Sequence, residues 1–65
     1  MLILRKDEIE VSGGTVMIEL IEEEYGFVIM LDGIEWLLTV NQIHAGILYQ
    51  MMKDNITRYF HFEIV

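Results

Sequence analysis

The sequence predicts a single α+β domain, in which a small antiparallel sheet carries one helix packed on a face, in the order β-β-β-β-α-β. Three observations predict this fold. Short apolar segments are separated by glycine-containing breaks, one later segment has the apolar spacing of a helix, and the last segment is rich in β-branched and aromatic residues. The chain has 65 residues, enough for one domain, residues 1–65.

The first strand is predicted to end at a glycine turn. Ile9 and Val11 alternate with Glu8 and Glu10, which is typical of a strand with one face in water. The Ser12-Gly13-Gly14 segment then offers the positive φ that a tight hairpin needs.

Three further strands follow this turn. Residues 16–21 and 27–31 are apolar on nearly both faces, and the break between them is residues 22–26. Asp32-Gly33 between apolar runs is a strong hairpin signal, so residues 34–38 are expected to form the fourth strand.

One helix is predicted after the fourth strand. Thr39 and Gln42 match a capping box, which places the helix at residues 40–54. Asn55 is expected to stop it in a left-handed conformation. Residues 56–65 are expected to close the sheet as a fifth strand.

The predicted helix has two apolar stripes. The stripe expected to pack on the sheet contains Val40, Ile43, Ile47 and Met51. The stripe expected to contact another copy contains Ala45, Leu48, Tyr49 and Met52. Trp36, on a strand face predicted to be shared with Ile34 and Leu38, is either a core residue or an anchor of the same interface.

The amount of apolar sequence predicts self-association. Hydrophobic residues make up 54% of the chain, more than so small a domain is expected to cover with one helix. We therefore expect a homodimer or a higher even oligomer with a two-fold interface, formed by this second helix stripe, by an outer face of the sheet or by edge pairing of the last strand.

The whole net charge of −7 lies in the first 35 residues. The densest run is Glu22-Glu23-Glu24, and Glu8, Glu10 and Glu19 extend the acidic character. These six glutamates are the predicted contact for a basic protein, where carboxylates would imitate the phosphates of DNA. The other interpretation is a solvated turn with charges that protect apolar strands from aggregation.

Several classes of function are disfavoured. The negative charge argues against direct binding to nucleic acid or to an anionic membrane. The absence of cysteine and of a membrane-length apolar run fits a cytoplasmic protein. His61 and Glu63 share a predicted strand face but lack a third metal ligand, and Ser12 and Thr57 lack a local base. No cofactor, metal or enzymatic activity is therefore expected.

The resulting expectation is a small non-enzymatic interaction module, an obligate homo-oligomer that acts as an accessory regulator or inhibitor. Its size and acidity are typical of phage-encoded inhibitors. One alternative is an oligomer that sequesters a small molecule in an intersubunit pocket lined by Trp36, Tyr49 and Tyr59. Another is a purely structural subunit.

Overall fold

The computed structural model describes residues 1–11 and 13–56. The elements are β1 (Leu2–Val11), β2 (Gly14–Glu23), β3 (Gly26–Leu31), β4 (Ile34–Thr39) and α1 (Gln42–Asp54). The strands form one antiparallel sheet in the order β1-β2-β3-β4, and α1 packs on one of its faces. The predicted α+β fold is confirmed. The predicted fifth strand lies outside the described residues, apart from Ile56, which is helical and not in a strand.

The Asp-Gly hairpin between β3 and β4 forms as its sequence predicts. Asp32 and Gly33 have φ values of 51° and 81°, the left-handed pair that a two-residue turn of type I′ requires. Asp32 also bonds to β2, because its backbone N–H donates to the Met17 carbonyl at 2.8 Å. Its carboxylate accepts from the Met17 N–H, also at 2.8 Å. The turn is therefore fixed to a third strand.

The core lies between α1 and one face of the sheet. Alternation along β2 points Val16, Ile18 and Leu20 towards the helix, beside Ile29 and Leu31 of β3. From the helical side, the core receives Ala45, Tyr49, Met52 and Ile56. Only one face of the sheet is therefore covered by α1.

The helix packs on the sheet through the second of its two apolar stripes, and not through the first as predicted. Ala45 and Tyr49 are completely buried, whereas Ile43 and Ile47 are 73% and 54% exposed. Val40 and Met51 are exposed with them. The prediction was wrong because both stripes are apolar, and hydrophobicity alone does not rank them. Tyr49 decides the orientation, since the sheet supplies two acceptors for its hydroxyl group.

The helix also begins later than predicted. Its N-cap is Asn41, whose side chain accepts a hydrogen bond from the His44 N–H at 3.0 Å. Thr39 remains the last residue of β4, and its hydroxyl oxygen accepts from the Asn41 N–H at 3.3 Å. Asn55 does cap the C-terminus, but with a φ of −125° it is not left-handed.

Candidate functional site

The sheet face opposite α1, here called the open face, carries half of the ten described acidic side chains, around the buried Ile21 and Val28. Cross-strand pairing aligns Lys6 with Glu19, Glu19 with Met30, and Met30 with Glu35. The same alternation places three more glutamates on this face: Glu8, Glu10 and Glu23. Among the described residues, five carboxylates against the Lys6 ammonium leave this face an excess of four negative charges.

The predicted Glu22-Glu23-Glu24 run does not act as one cluster. Glu22 follows Leu20 in the alternation of β2 and therefore lies on the helix side of the sheet. Glu23 lies on the open face, and Glu24 lies in the turn before β3. The structure thus brings Glu23 together with the predicted Glu8, Glu10 and Glu19, and separates it from its two neighbours in sequence.

Glu35 is an open-face residue that the sequence did not reveal. A register shift between Ile29 and Met30 leaves Trp36 as an extra residue in β4. As a result, Ile34 pairs with Leu31 on the helix side, whereas Leu38 pairs with Val28 on the open face. The prediction that Ile34 and Leu38 share a face is therefore wrong. Nothing in the sequence marks this bulge.

The electrostatic effect of the open face extends to the turn between β2 and β3. Partial desolvation raises the pKa of Tyr25, and the negative charges of Glu23 and Glu35 raise it further. Tyr25 is nevertheless 57% exposed. An accessible phenol therefore stands at the end of the acidic face.

Two of the three described basic residues are turned away from the open face. The Arg5 guanidinium lies 4.4 Å from the centroid of the Tyr49 ring and donates to the Gln50 side-chain oxygen at 3.1 Å. The Lys53 ammonium lies 3.3 Å from an Asp7 carboxylate oxygen. Lys6 is the one described cation on the acidic side.

The cluster around Asp7 and Tyr49 has the geometry of a structural clamp. The Tyr49 hydroxyl donates to Asp7 at 2.7 Å and lies 3.1 Å from the Ile18 carbonyl oxygen. Burial, followed by the bond to Asp7, strongly raises the pKa of Tyr49. A buried phenol with a raised pKa is a poor base and nucleophile, so these contacts serve to join α1 to the sheet.

The Asp7 carboxylate should make the free energy of unfolding depend on pH in the acid range. The bond from Tyr49 lowers the pKa of Asp7 below 3.8, and Lys53 and Arg5 add to this effect against partial desolvation. The stabilisation by Asp7 is therefore fully present above pH 3.8, the pKa in the unfolded chain. It is lost as the pH falls through the lower pKa that Asp7 has in the folded protein. We expect the urea midpoint of wild type to exceed that of Asp7→Asn at neutral pH, and the gap to narrow in acid. A gap that is constant with pH would contradict this assignment.

A second exposed surface consists of large apolar side chains from β4 and the outward side of α1. This surface, here called the apolar flank, contains Ile34, Trp36, Leu37, Val40, Ile43, Ile47 and Met51. A shallow cavity of about 210 Å³, lined by Thr39, His44, Ile47 and Leu48, lies where β4 meets the helix. Another of about 150 Å³ is lined by Leu31, Asp32, Ile34 and Trp36. Both are smaller than the roughly 300 Å³ at which small-molecule sites begin.

The residues predicted for the contact between copies have different locations. Ala45, Tyr49 and Met52 belong to the core of the single chain, so they are unavailable to a second folded copy. Leu48 is partly buried against that core, and Trp36 is 52% exposed. Of the predicted pocket residues, Tyr49 is buried and Trp36 is exposed. Tyr59 lies outside the described residues, as do Ser12, Thr57, His61 and Glu63.

Within residues 1–11 and 13–56, no three side chains of the metal-binding types come together as a metal site. In the same ranges, no helix is long and apolar enough to cross a membrane.

Comparison with known proteins gave no match to a family model, to a curated protein or to a solved structure.

Proposed function

We propose that this chain is a non-enzymatic protein-binding module whose open face docks on a basic surface of another protein. The observation that supports this proposal is the strand register, which within the described part of the chain gathers five carboxylates on one face beside one ammonium group. The partner's function would then be regulated or inhibited by occupation of that surface.

The spacing of the open face suits a partner that normally binds a polyanion. Side chains two residues apart in a strand are about 6.6 Å apart, and neighbouring strands are about 4.8 Å apart. The sheet holds its carboxylates at these spacings without the entropy loss of ordering a flexible acidic tail. A groove lined by Lys and Arg for nucleic acid would meet a similar array of fixed negative charges. The proposed mode of action is therefore competition with nucleic acid for such a groove.

Apolar side chains between the glutamates would add to the affinity. Met17 and Met30 are partly buried on the open face, and Leu38 is 50% exposed there. Charge complementarity chiefly accelerates association and selects the partner, whereas desolvated apolar contacts slow dissociation. The open face offers both charged and apolar contacts.

The test neutralises the open face without changing the helix side. Its variant is Glu8→Gln with Glu19→Gln and Glu35→Gln, and its probe is a short arginine-rich peptide titrated by fluorescence anisotropy. We expect Kd to rise about tenfold at low salt, since each lost charge contact weakens binding by a few fold. Added salt should reduce the difference.

The matched control removes the same number of charges elsewhere: Glu22→Gln, Glu24→Gln and Asp54→Asn. We expect its Kd to rise about twofold through net charge alone. Equal losses in the two variants would mean that binding follows net charge and not the open face. A larger loss in the control would move the contact to the turn and contradict the proposal.

A further inference from the structure

The two edges of the sheet are protected to very different degrees. The β1 edge carries five charged residues in its ten positions, whereas β4 carries Glu35 alone in its six. Charges along an edge strand hinder its pairing with another chain. As far as the described residues show, the β4 edge lacks this protection, and it lies beside the exposed side of α1.

The helical part of the apolar flank meets the end of β4. Its members recur on one side of α1, nearly opposite the buried Ala45 and Tyr49. The cavity shared by Thr39, His44 and Ile47 joins this stripe to the end of β4. Gln50 and Lys53, which contact Arg5 and Asp7 of β1, lie between this stripe and the buried side of the helix. The helical stripe therefore points outward and is joined to the sheet at the end of β4.

The size of the apolar flank matches an interface between proteins. Its seven residues together expose the equivalent of about four whole side chains. At about 150 Å² for each large side chain, this amounts to roughly 600 Å². A standard interface buries about 800 Å² on each partner, and this chain would obtain most of that from the apolar flank alone.

The distribution of charge selects a second copy as the occupant. Two chains of net charge −7 repel each other wherever carboxylates meet. None of the seven flank residues is charged. The five open-face glutamates lie on the sheet face opposite α1. In a two-fold contact both copies use the same patch, so an uncharged patch brings no carboxylates of the two chains together.

We propose that two copies of this chain associate about a two-fold axis through the apolar flank, and that the open faces remain outward. This association does not rest on the function proposed for the open face. The dimer would present two acidic surfaces to a partner.

The test replaces Ile43 and Ile47 by glutamine, which removes apolar surface without adding charge. Both positions are exposed in the single chain, and glutamine is at least as good a helix former as isoleucine, so the variant should fold. By sedimentation equilibrium of the full chain, we expect wild type to be a dimer at micromolar concentration and the variant to be a monomer. Its dimer Kd should rise at least 100-fold, because four isoleucines leave each interface.

The control variant is Gln42→Ala with Gly46→Ala, on the polar side of α1, and it should remain a dimer. Trp36, the single tryptophan, gives a second measurement. Its emission should move to shorter wavelength as the wild-type concentration rises, and should not move in Ile43→Gln with Ile47→Gln. Circular dichroism establishes that each variant is folded.

Three results would overturn the proposal. The first is a wild-type monomer with constant Trp36 emission at every concentration, as expected if another protein or other residues of the chain cover the flank. The second is a dimer that survives the two glutamine substitutions. The third is that the control variant dissociates to the same extent as the variant with the two glutamine substitutions. Retained binding of the arginine-rich peptide by the monomeric variant would show that the two surfaces act separately.

Discussion

Replacement of Tyr49 by alanine should destabilise the fold by about 4 kcal/mol, the typical effect of removing a large buried side chain. Tyr49 is completely buried and joins three parts of the sheet through Asp7, the Ile18 carbonyl and the Arg5 guanidinium. Small domains have a total stability of similar size, so Tyr49→Ala should leave little folded protein at 25 °C. Urea unfolding followed by circular dichroism measures the effect.

Two further variants test this prediction even if Tyr49→Ala is completely unfolded. Tyr49→Phe keeps the ring but removes the hydroxyl group, so it should lose about 1–2 kcal/mol and remain measurable. Tyr25→Ala removes a tyrosine that is 57% exposed, and it should change stability by about 0.5 kcal/mol or less. Similar losses for Tyr49→Ala and Tyr25→Ala would contradict the observed orientation of α1.

The same substitution at two glycines should have opposite effects. A Cβ atom on Gly26 would lie 2.8 Å from the Thr39 carbonyl oxygen, which is backbone, and the φ of 150° is unfavourable for other residues. We expect Gly26→Ala to destabilise the protein by about 2–3 kcal/mol, since β3 and β4 must separate at this point. Thermal and urea unfolding both report this change.

Gly46→Ala serves as the matched control, because the added methyl group meets no atom within 4 Å and the site lies inside α1. Alanine should stabilise the helix there by about 1 kcal/mol. Destabilisation at both positions would mean that the surroundings of Gly46 are crowded. Tolerance of alanine at Gly26 would mean that the close approach to Thr39 is absent.

The elements themselves could be predicted from the sequence because their signals are local. Asp32-Gly33 needs only its own backbone to form the turn, and each strand follows from its apolar run. The start of the helix was missed because Thr39 and Asn41 both offer a capping oxygen, and pairing of Thr39 with Phe27 keeps it in the sheet. That pairing is a tertiary contact, which a local signal does not contain.

The surfaces were harder to predict because they depend on contacts distant in sequence. The orientation of α1 follows from the Tyr49 bond to Asp7, and the position of Glu35 follows from the bulge at Trp36. The acidic run was the most visible charge feature of the sequence. Glu22 and Glu23 lie on opposite faces because they are consecutive residues of a strand, and Glu24 lies in the following turn.

The two proposed surfaces should respond to salt in opposite ways. Binding of a basic partner to the open face weakens as salt screens unlike charges. Contact between two apolar flanks should be unaffected or strengthened, since salt also screens the repulsion between two acidic chains. A salt series on wild type therefore separates the two interactions without a substitution.

The order of the strands has a consequence for how quickly the chain folds. Each of the four described strands pairs with its neighbour in sequence, so this sheet forms by closing short loops in succession. The bond between Tyr49 and Asp7 spans 42 residues, and it closes only when the helix docks. A short separation in sequence between contacting residues favours rapid folding. We therefore expect hairpin formation to precede docking of α1, so that the newly made chain passes briefly through a stage in which one face of its sheet is still uncovered.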